Sequence, residues 1–330
     1  MSTKIEQDLI DIRAKRDVSF FDLHSVEQIN FDDLDILFDL ARAFRKYKTE
    51  KLALNKGCSV IHAFFESSTR TLSSFDLSAK HLSMDTNNVS SGNTEKKGES
   101  FLDTAETIDA YNLKIMVIRS SQAGVSEFLA RHVQAAVINA GDGWHEHPTQ
   151  GLLDALTLLD HFGSKDLKGK TITIIGDILH SRVFGSLVRL LKKLNATIRV
   201  SAPATMLPAS IENFGLTTHY NAEEAIEGAD AIYALRVQGE RGANTFIPSL
   251  REYSKMYGVN RKRLDLANDD AILMHPGPVQ RDIDIHSALV SIDNQSHILQ
   301  QVENGMAVRK ALLWTLCHRY DGKVKEYTKR

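Results

Sequence analysis

The sequence predicts an α/β protein of two doubly wound parallel-sheet domains joined by helices, and three observations carry that expectation. Short β-rich runs recur along most of the chain, helical patterns lie between several of them, and the runs are almost continuously apolar rather than alternating. Strands of that kind are buried on both faces, as in parallel sheets covered by helices. A length of 330 residues leaves room for roughly two domains.

The strand candidates, in order, are CSVIHAFF, LKIMVIR, AAVINA, TITIIG, TIRVSA, DAIYALR and DAILMH. After the first comes a helical pattern of Leu72, Phe75, Ala79 and Leu82; after the fourth comes Val183, Leu187, Leu190, Leu191 and Leu194. Both show the three- and four-residue spacing of one helix face. Residues 151–163, GLLDALTLLDHFG, read as a further helix, and the polar SKDLKGK after it marks a break between domains. The first domain is expected over 1–150 and the second over 151–304. The last helix, around Met306 to Arg319 within 305–330, is apolar enough to dock, and the first domain is one place for it.

Composition narrows the function classes. With 42% apolar and 25% charged residues the chain sits near the globular average, so collagenous and disordered readings fall away. A net charge of −2 supplies no global field for nucleic acid or anionic lipid, so any anion site must be local. No stretch reaches the roughly 18 apolar residues that a membrane span needs, and a cytoplasmic protein is expected. Cys58 and Cys317 lie far apart in apolar contexts and are expected to be two inert core thiols.

Ligands of open parallel sheets bind beyond the carboxyl ends of the strands. Arg70, Arg119, Arg182 and Arg236 each stand at or just beyond such an end, which makes an anion-binding floor. Ser68-Thr69-Arg70-Thr71 before a helix is the sharpest local signal, because a helix N-terminus offers free N–H groups to a phosphate, and hydroxyls and a guanidinium add to them. The plain alternative is a Ser/Thr cap beside a solvated arginine. In GDGWHEHPTQ, Pro148 suits a first helical turn, and His147 and Gln150, three apart, could face one ligand. His145-Glu146-His147 has no further ligands at metal spacing. Lys97 sits in a polar stretch, and His275-Pro276-Gly277-Pro278 forms a rigid corner whose carbonyls could accept from an NH₂ group. No GxGxxG, P-loop or GxSxG is present, which removes most support for nucleotide cofactors and serine hydrolysis.

Taken together, FFESSTRT, KKGES, IRSSQAG, NAGDGWHEHPTQ, GDILHSR, LRVQGER and MHPGPVQRD resemble the ordered motif series of the aspartate branch of the carbamoyltransferase family, from about residue 58 to 315. The SMG loop and HCLP segment of the ornithine branch are missing. The resemblance implies transfer of a carbamoyl group from carbamoyl phosphate to the α-amine of L-aspartate, the committed step of pyrimidine synthesis, without metal or organic cofactor, in a cleft between the two domains. It assigns Ser68, Thr69, Arg70 and Thr71 to the phosphate and Arg119 to phosphate and carbonyl oxygen. Thr71, Arg119 and His147 would meet the oxyanion, and Gln150 with the carbonyls of Pro276 and Gly277 the carbamoyl NH₂. Arg182 would take the aspartate α-carboxylate, and Arg236 with Gln238 the β-carboxylate. Lys97 would arrive from the neighbouring chain of a homotrimer with shared sites, and a regulatory chain or a dihydroorotase partner is compatible with the resemblance. The sequence departs from the family pattern at Asn93, with Thr94 beside it, where a serine is usual, at Ser120 where histidine is common, and at Leu72 where arginine is common. A carbamoyltransferase for ornithine or an acylated ornithine, and a non-catalytic scaffold or metabolite sensor of the same fold, stay open as alternatives.

Overall fold

A computed structural model describes residues 2–15, 17–47, 51–90, 100–238, 246–290 and 294–320. The chain divides into two compact units, residues 1–153 with 303–330, and residues 154–302. The division falls inside helices rather than in the polar stretch at 164–170.

The first unit opens with α1 (Ser2–Lys15), which buries Ile5 and Leu9, and α2 (Phe31–Arg45). Asn30 starts α2 through a reciprocal capping box with Asp33, which satisfies two otherwise orphaned N–H donors. The strands β1 (Ser59–Phe64), β2 (Asp85–Ser90), β3 (Ile115–Ser120) and β4 (Ala136–Asp142) form an all-parallel sheet in the order β2-β1-β3-β4. Helices α3 (Thr69–His81), α4 (Phe101–Asp109) and α5 (Val125–Ala130) lie between them in sequence, and α6 (Pro148–Phe162) follows. One face packs Ile61, Ala63, Met116, Ile118 and Val137 against Ala105, Ile108 and Leu129 of α4 and α5. Burying such a set is the dominant stabilising term of a unit like this. The outer edge of β4 is covered: Leu23 donates to the carbonyl of Val137 at 2.8 Å, and Asn139 donates back to that of Leu23 at 2.8 Å.

The second unit holds β5 (Thr171–Ile175), β6 (Thr197–Ser201), β7 (Thr217–His219), β8 (Ala231–Ala234) and β9 (Ile272–Met274), again all parallel, in the order β7-β6-β5-β8-β9. Its helices are α7 (Arg182–Lys193), α8 (Ala222–Ile226), α9 (Leu250–Tyr257), α10 (Arg261–Leu264) and α11 (Ser287–Val290). Both strand orders reverse direction once, between β1 and β3 and between β5 and β8. A crevice at the carboxyl ends is left at each such reversal, because the flanking connections leave toward opposite faces.

The last helix, α12 (Ile298–Tyr320), returns to the first unit from Glu303 onward. Trp314 meets Phe44 of α2 edge to face at 6.4 Å, and Arg45 donates to Asn304 at 2.8 Å. The same return corrects one expectation: Cys58 and Cys317 are not two separate thiols but are joined as a disulfide, with Cα atoms 6.7 Å apart. A contact between residues 259 apart depends on where α12 docks, which local context does not reveal. Among the described residues no helix is long and apolar enough to cross a membrane.

Candidate active site

In the first unit the reversal between β1 and β3 places Ser68–Thr71 and Arg119 at neighbouring strand ends, since Phe64 pairs with Arg119 in register. Ser68 caps α3 by position, yet its hydroxyl makes no cap hydrogen bond. Thr69 and Arg70 are exposed, and Thr71 is buried with its Oγ1 3.5 Å from Nε2 of the buried His147. Arg119 donates to the carbonyl of Ala140 at 3.2 Å and lies 3.7 Å from Glu66, so its guanidinium is held from two sides across the ends of β1 and β4. Gln150 is buried one turn into the chain that His147 opens, its N–H bonded to the His147 carbonyl at 2.9 Å. The loop between β4 and α6 turns at Gly143, where φ is +48° and a Cβ would stand 2.9 Å from the Ala123 nitrogen. Only glycine fits there without a shift of backbone.

Two buried carboxylates anchor that loop. Asp142 accepts from Gly124 N–H at 2.7 Å, Asn139 at 2.9 Å, His145 at 3.0 Å and Glu146 N–H at 3.0 Å. Glu146, beside His147, accepts from the Ser25 hydroxyl and from Val26 N–H at 3.1 Å. Burial alone would push the Asp142 carboxyl up; the bonds from His145, Asn139 and Gly124 outweigh it and hold the group below its ordinary range. A pKa lower in the folded than in the unfolded state gives stability that is present above about pH 4 and is lost as the pH falls through the folded value. Urea unfolding from about pH 6 down to about pH 2 is therefore expected to show stability falling at the acid end, and falling less steeply in Asp142→Asn. Parallel pH profiles in the two proteins contradict this.

In the second unit the reversal between β5 and β8 does the same for Arg182 and Arg236. Gly176 follows β5 with φ of +127°, and a Cβ would meet the Leu235 carbonyl at 2.5 Å, so the chain just past β5 and β8 approaches as closely as backbone allows. Asp177 follows, fully buried, accepting from His180 N–H at 3.2 Å and Nδ1 at 2.7 Å on one oxygen and from Gln238 N–H at 3.2 Å on the other. It thus ties the start of α7, where Arg182 is buried, to the segment carrying Arg236 and Gln238, both half-buried. At the end of β9, the ring of His275 accepts from Gly277 N–H at 2.8 Å and contacts Asp284 at 3.2 Å, which fixes the Pro276–Gly277 corner. Burial first, and then the charges of Asp284 and Asp177, push the Tyr253 phenol well above its ordinary range.

The structure therefore gathers Ser68, Thr69, Arg70, Thr71, Arg119, His147 and Gln150 at one set of strand ends in the first unit. It gathers Arg182, Arg236, Gln238, Pro276 and Gly277 at another in the second. Asn93, Thr94 and Lys97 lie outside the described residues. Among the described residues no group of three His, Cys, Asp or Glu side chains could hold a metal ion.

The carbamoyl-P binding domain model of aspartate/ornithine carbamoyltransferase matches residues 22–160, and the Asp/Orn binding domain model matches residues 168–316. The aspartate carbamoyltransferase catalytic subunit of Desulfotalea psychrophila is 45% identical over 296 residues, 88% of this chain and 92% of that one. The chain belongs to the aspartate/ornithine carbamoyltransferase family. The corresponding subunit of Azorhizobium caulinodans is 45% identical over 302 residues, covering 90% of this carbamoyltransferase-family chain and 93% of its own. Aspartate transcarbamoylase from Trypanosoma cruzi, in complex with phosphate, superposes with a TM-score of 0.79 at 29% identity over 89% of this chain and 95% of that one. Ornithine carbamoyltransferase from Thermus thermophilus, with a TM-score of 0.79 and 24% identity over 90% of this chain and 99% of its own, shares the fold.

The motif residues named from the sequence do not include the carboxylates that brace these strand-end loops. Glu66, Asp142, Glu146, Asp177 and Asp284 all lie within or beside the quoted motifs, but their partners are N–H groups and side chains brought in by the fold.

Proposed function

We propose that this chain is an aspartate carbamoyltransferase, joining carbamoyl phosphate and L-aspartate to give N-carbamoyl-L-aspartate and phosphate. The observation that carries the reading is the placement of arginines at the strand-order reversals of both sheets, with one family domain model matched to the stretch that holds each sheet. The substrates bring about three to four negative charges together, and planar guanidinium forks suit phosphate and carboxylate alike.

In the proposed mechanism the phosphate lies against the N-terminus of α3, bound by its N–H groups with Ser68, Thr69, Arg70 and Thr71. Arg119 spans phosphate and carbonyl oxygen, while Thr71 and His147, already adjacent, turn toward the oxyanion. Gln150 and the carbonyls of Pro276 and Gly277 hold the carbamoyl NH₂. Arg182 takes the α-carboxylate of aspartate and Arg236 with Gln238 the β-carboxylate, so the free amine is aimed at the carbonyl carbon. The amine lone pair forms the new C–N bond, a tetrahedral oxyanion follows, the bond to the phosphate oxygen breaks with its electron pair, and one amine proton passes to the departing phosphate. Nothing covalent is asked of the protein. Holding both substrates in attack geometry can remove about 7–11 kcal/mol of barrier, and an oxyanion donor about 2.7–4 kcal/mol. A homotrimer in which Lys97 of one chain completes its neighbour's site belongs to the same proposal.

The test is purified protein given carbamoyl phosphate with aspartate, ornithine and N-acetylornithine in turn. Carbamoylation of aspartate far ahead of the others is expected, because a cationic side chain would face Arg236 unfavourably. Preference for ornithine overturns the choice of substrate, and no turnover with any amine overturns the activity.

A further inference from the structure

The loop after β9 holds a carboxylate that the proposed mechanism does not use. Asp284 is buried, and each of its oxygens accepts a hydrogen bond from a different loop. Oδ1 accepts from Val237 N–H at 3.4 Å, and Val237 stands between Arg236 and Gln238. Oδ2 accepts from Gln280 N–H at 2.9 Å and contacts His275 Nε2 at 3.2 Å. The tautomer of His275 follows from its other neighbour. Nδ1 accepts from Gly277 N–H, so the ring proton sits on Nε2 and is donated to Asp284. His275 is fixed from behind as well: its N–H donates to Gln301 at 2.9 Å, Gln301 donates to Asp154 at 2.7 Å, and the Tyr233 hydroxyl closes the chain on Asp154 at 2.7 Å.

We propose that Asp284 is a positioning residue, which fixes the Arg236–Gln238 segment and the Pro276–Gly277 corner relative to each other. The inference rests on the reading above, in which the first segment takes the β-carboxylate and the second the carbamoyl NH₂. All three partners are donors, so only a group with two acceptor oxygens satisfies them. An asparagine of the same size must present its own NH₂ to one arm and break it. Asp177 is the natural comparison. It is equally buried, yet it reaches Gln238 and His180 and not the corner.

The two carboxylates therefore separate in kinetics. Asp284→Asn is expected to raise the KM for aspartate and the KM for carbamoyl phosphate together, each by about tenfold, whereas Asp177→Asn raises that for aspartate alone. Thr173→Val, which removes a buried hydrogen bond from Thr173 to the Ala225 carbonyl elsewhere in the unit, is expected to lower the melting temperature and leave both constants unchanged. A purely structural Asp284 would behave like Thr173. Loss of thermal stability in Asp284→Asn with both constants within twofold of wild type overturns the proposal, as does a rise in only one of them. Should Asp284→Asn fail to fold, Asp284→Ser, whose single short oxygen cannot serve both arms, must show the same double rise; unchanged constants overturn the proposal. Amide hydrogen exchange keeps the inference separate from the activity. In Asp284→Asn exchange should quicken at Val237 or at Gly277, according to the arm that the amide NH₂ breaks, and in Asp177→Asn at Gln238 but not Gly277, whether or not the wild type carbamoylates aspartate. Protection that survives at both Val237 and Gly277 in Asp284→Asn sinks the inference with the functional reading untouched.

Discussion

Arg119→Ala is expected to lower kcat for carbamoyl transfer by about 10²–10³-fold while the protein stays folded. Arg119 is the last residue but one of β3, and its guanidinium is braced by the Ala140 carbonyl and by Glu66, which leaves it preorganised before substrate arrives. Preorganised charge is most effective where charge develops during the reaction, and the carbonyl oxygen gains a full negative charge as the amine adds. Removing the guanidinium also takes a positive charge from beside Glu66 and the SSTRT loop, so the KM for carbamoyl phosphate should rise as well. Arg119→Lys restores the charge without the planar fork and should recover only part of the rate. Steady-state kinetics at saturating aspartate check both variants, with a thermal melt to confirm folding. A kcat for Arg119→Ala within a few-fold of wild type would remove Arg119 from the oxyanion role.

Why this arginine is legible in the sequence, and Glu66 beside it is not, is a matter of what local pattern can encode. β1, β3, β4, β5, β8 and β9 are largely apolar runs because both faces are covered, and a cation at the end of such a run is placed at a strand end by the run itself. β2, with the sequence DTNNVS, escapes the same reading because it is an edge strand with polar side chains. β7 escapes because three residues are too few to carry a period. Helix α2 was readable in principle from the Asn30–Asp33 capping box and from the spacing of Leu34, Leu37, Phe38 and Ala41. The buried carboxylates are of another kind. Glu146 meets Ser25 and Val26, some 120 residues away, and Asp284 meets Val237, 47 residues away. Such partners are set by strand order and by the path of the N-terminal segment along β4. The Cys58–Cys317 pair fails to show for the same reason, since it depends on the return of α12 to the first unit.

Arg236→Ala is expected to raise the KM for aspartate by about 10- to 100-fold and to leave the affinity for carbamoyl phosphate nearly unchanged. Arg236 stands just past β8, between the buried Leu235 and Val237. Its backbone is pinned from both sides, by Leu235 N–H to the Ile175 carbonyl at 2.7 Å and by Val237 N–H to Asp284. Truncating the side chain therefore removes a guanidinium without releasing the segment, and the loss should read as binding energy of one carboxylate. Asparagine isolates that term, because it keeps the size and the α-carboxylate of aspartate and lacks only the β-charge. The wild type should prefer aspartate to asparagine strongly, and Arg236→Ala should lose most of that preference, since the site no longer offers the fork that tells a carboxylate from an amide. Arg182→Ala should instead weaken both amino acids alike, as both carry the α-carboxylate. If Arg236→Ala damages carbamoyl phosphate and aspartate equally, or keeps its discrimination against asparagine, the β-carboxylate is bound elsewhere and the division of the arginines between the two carboxylates is wrong.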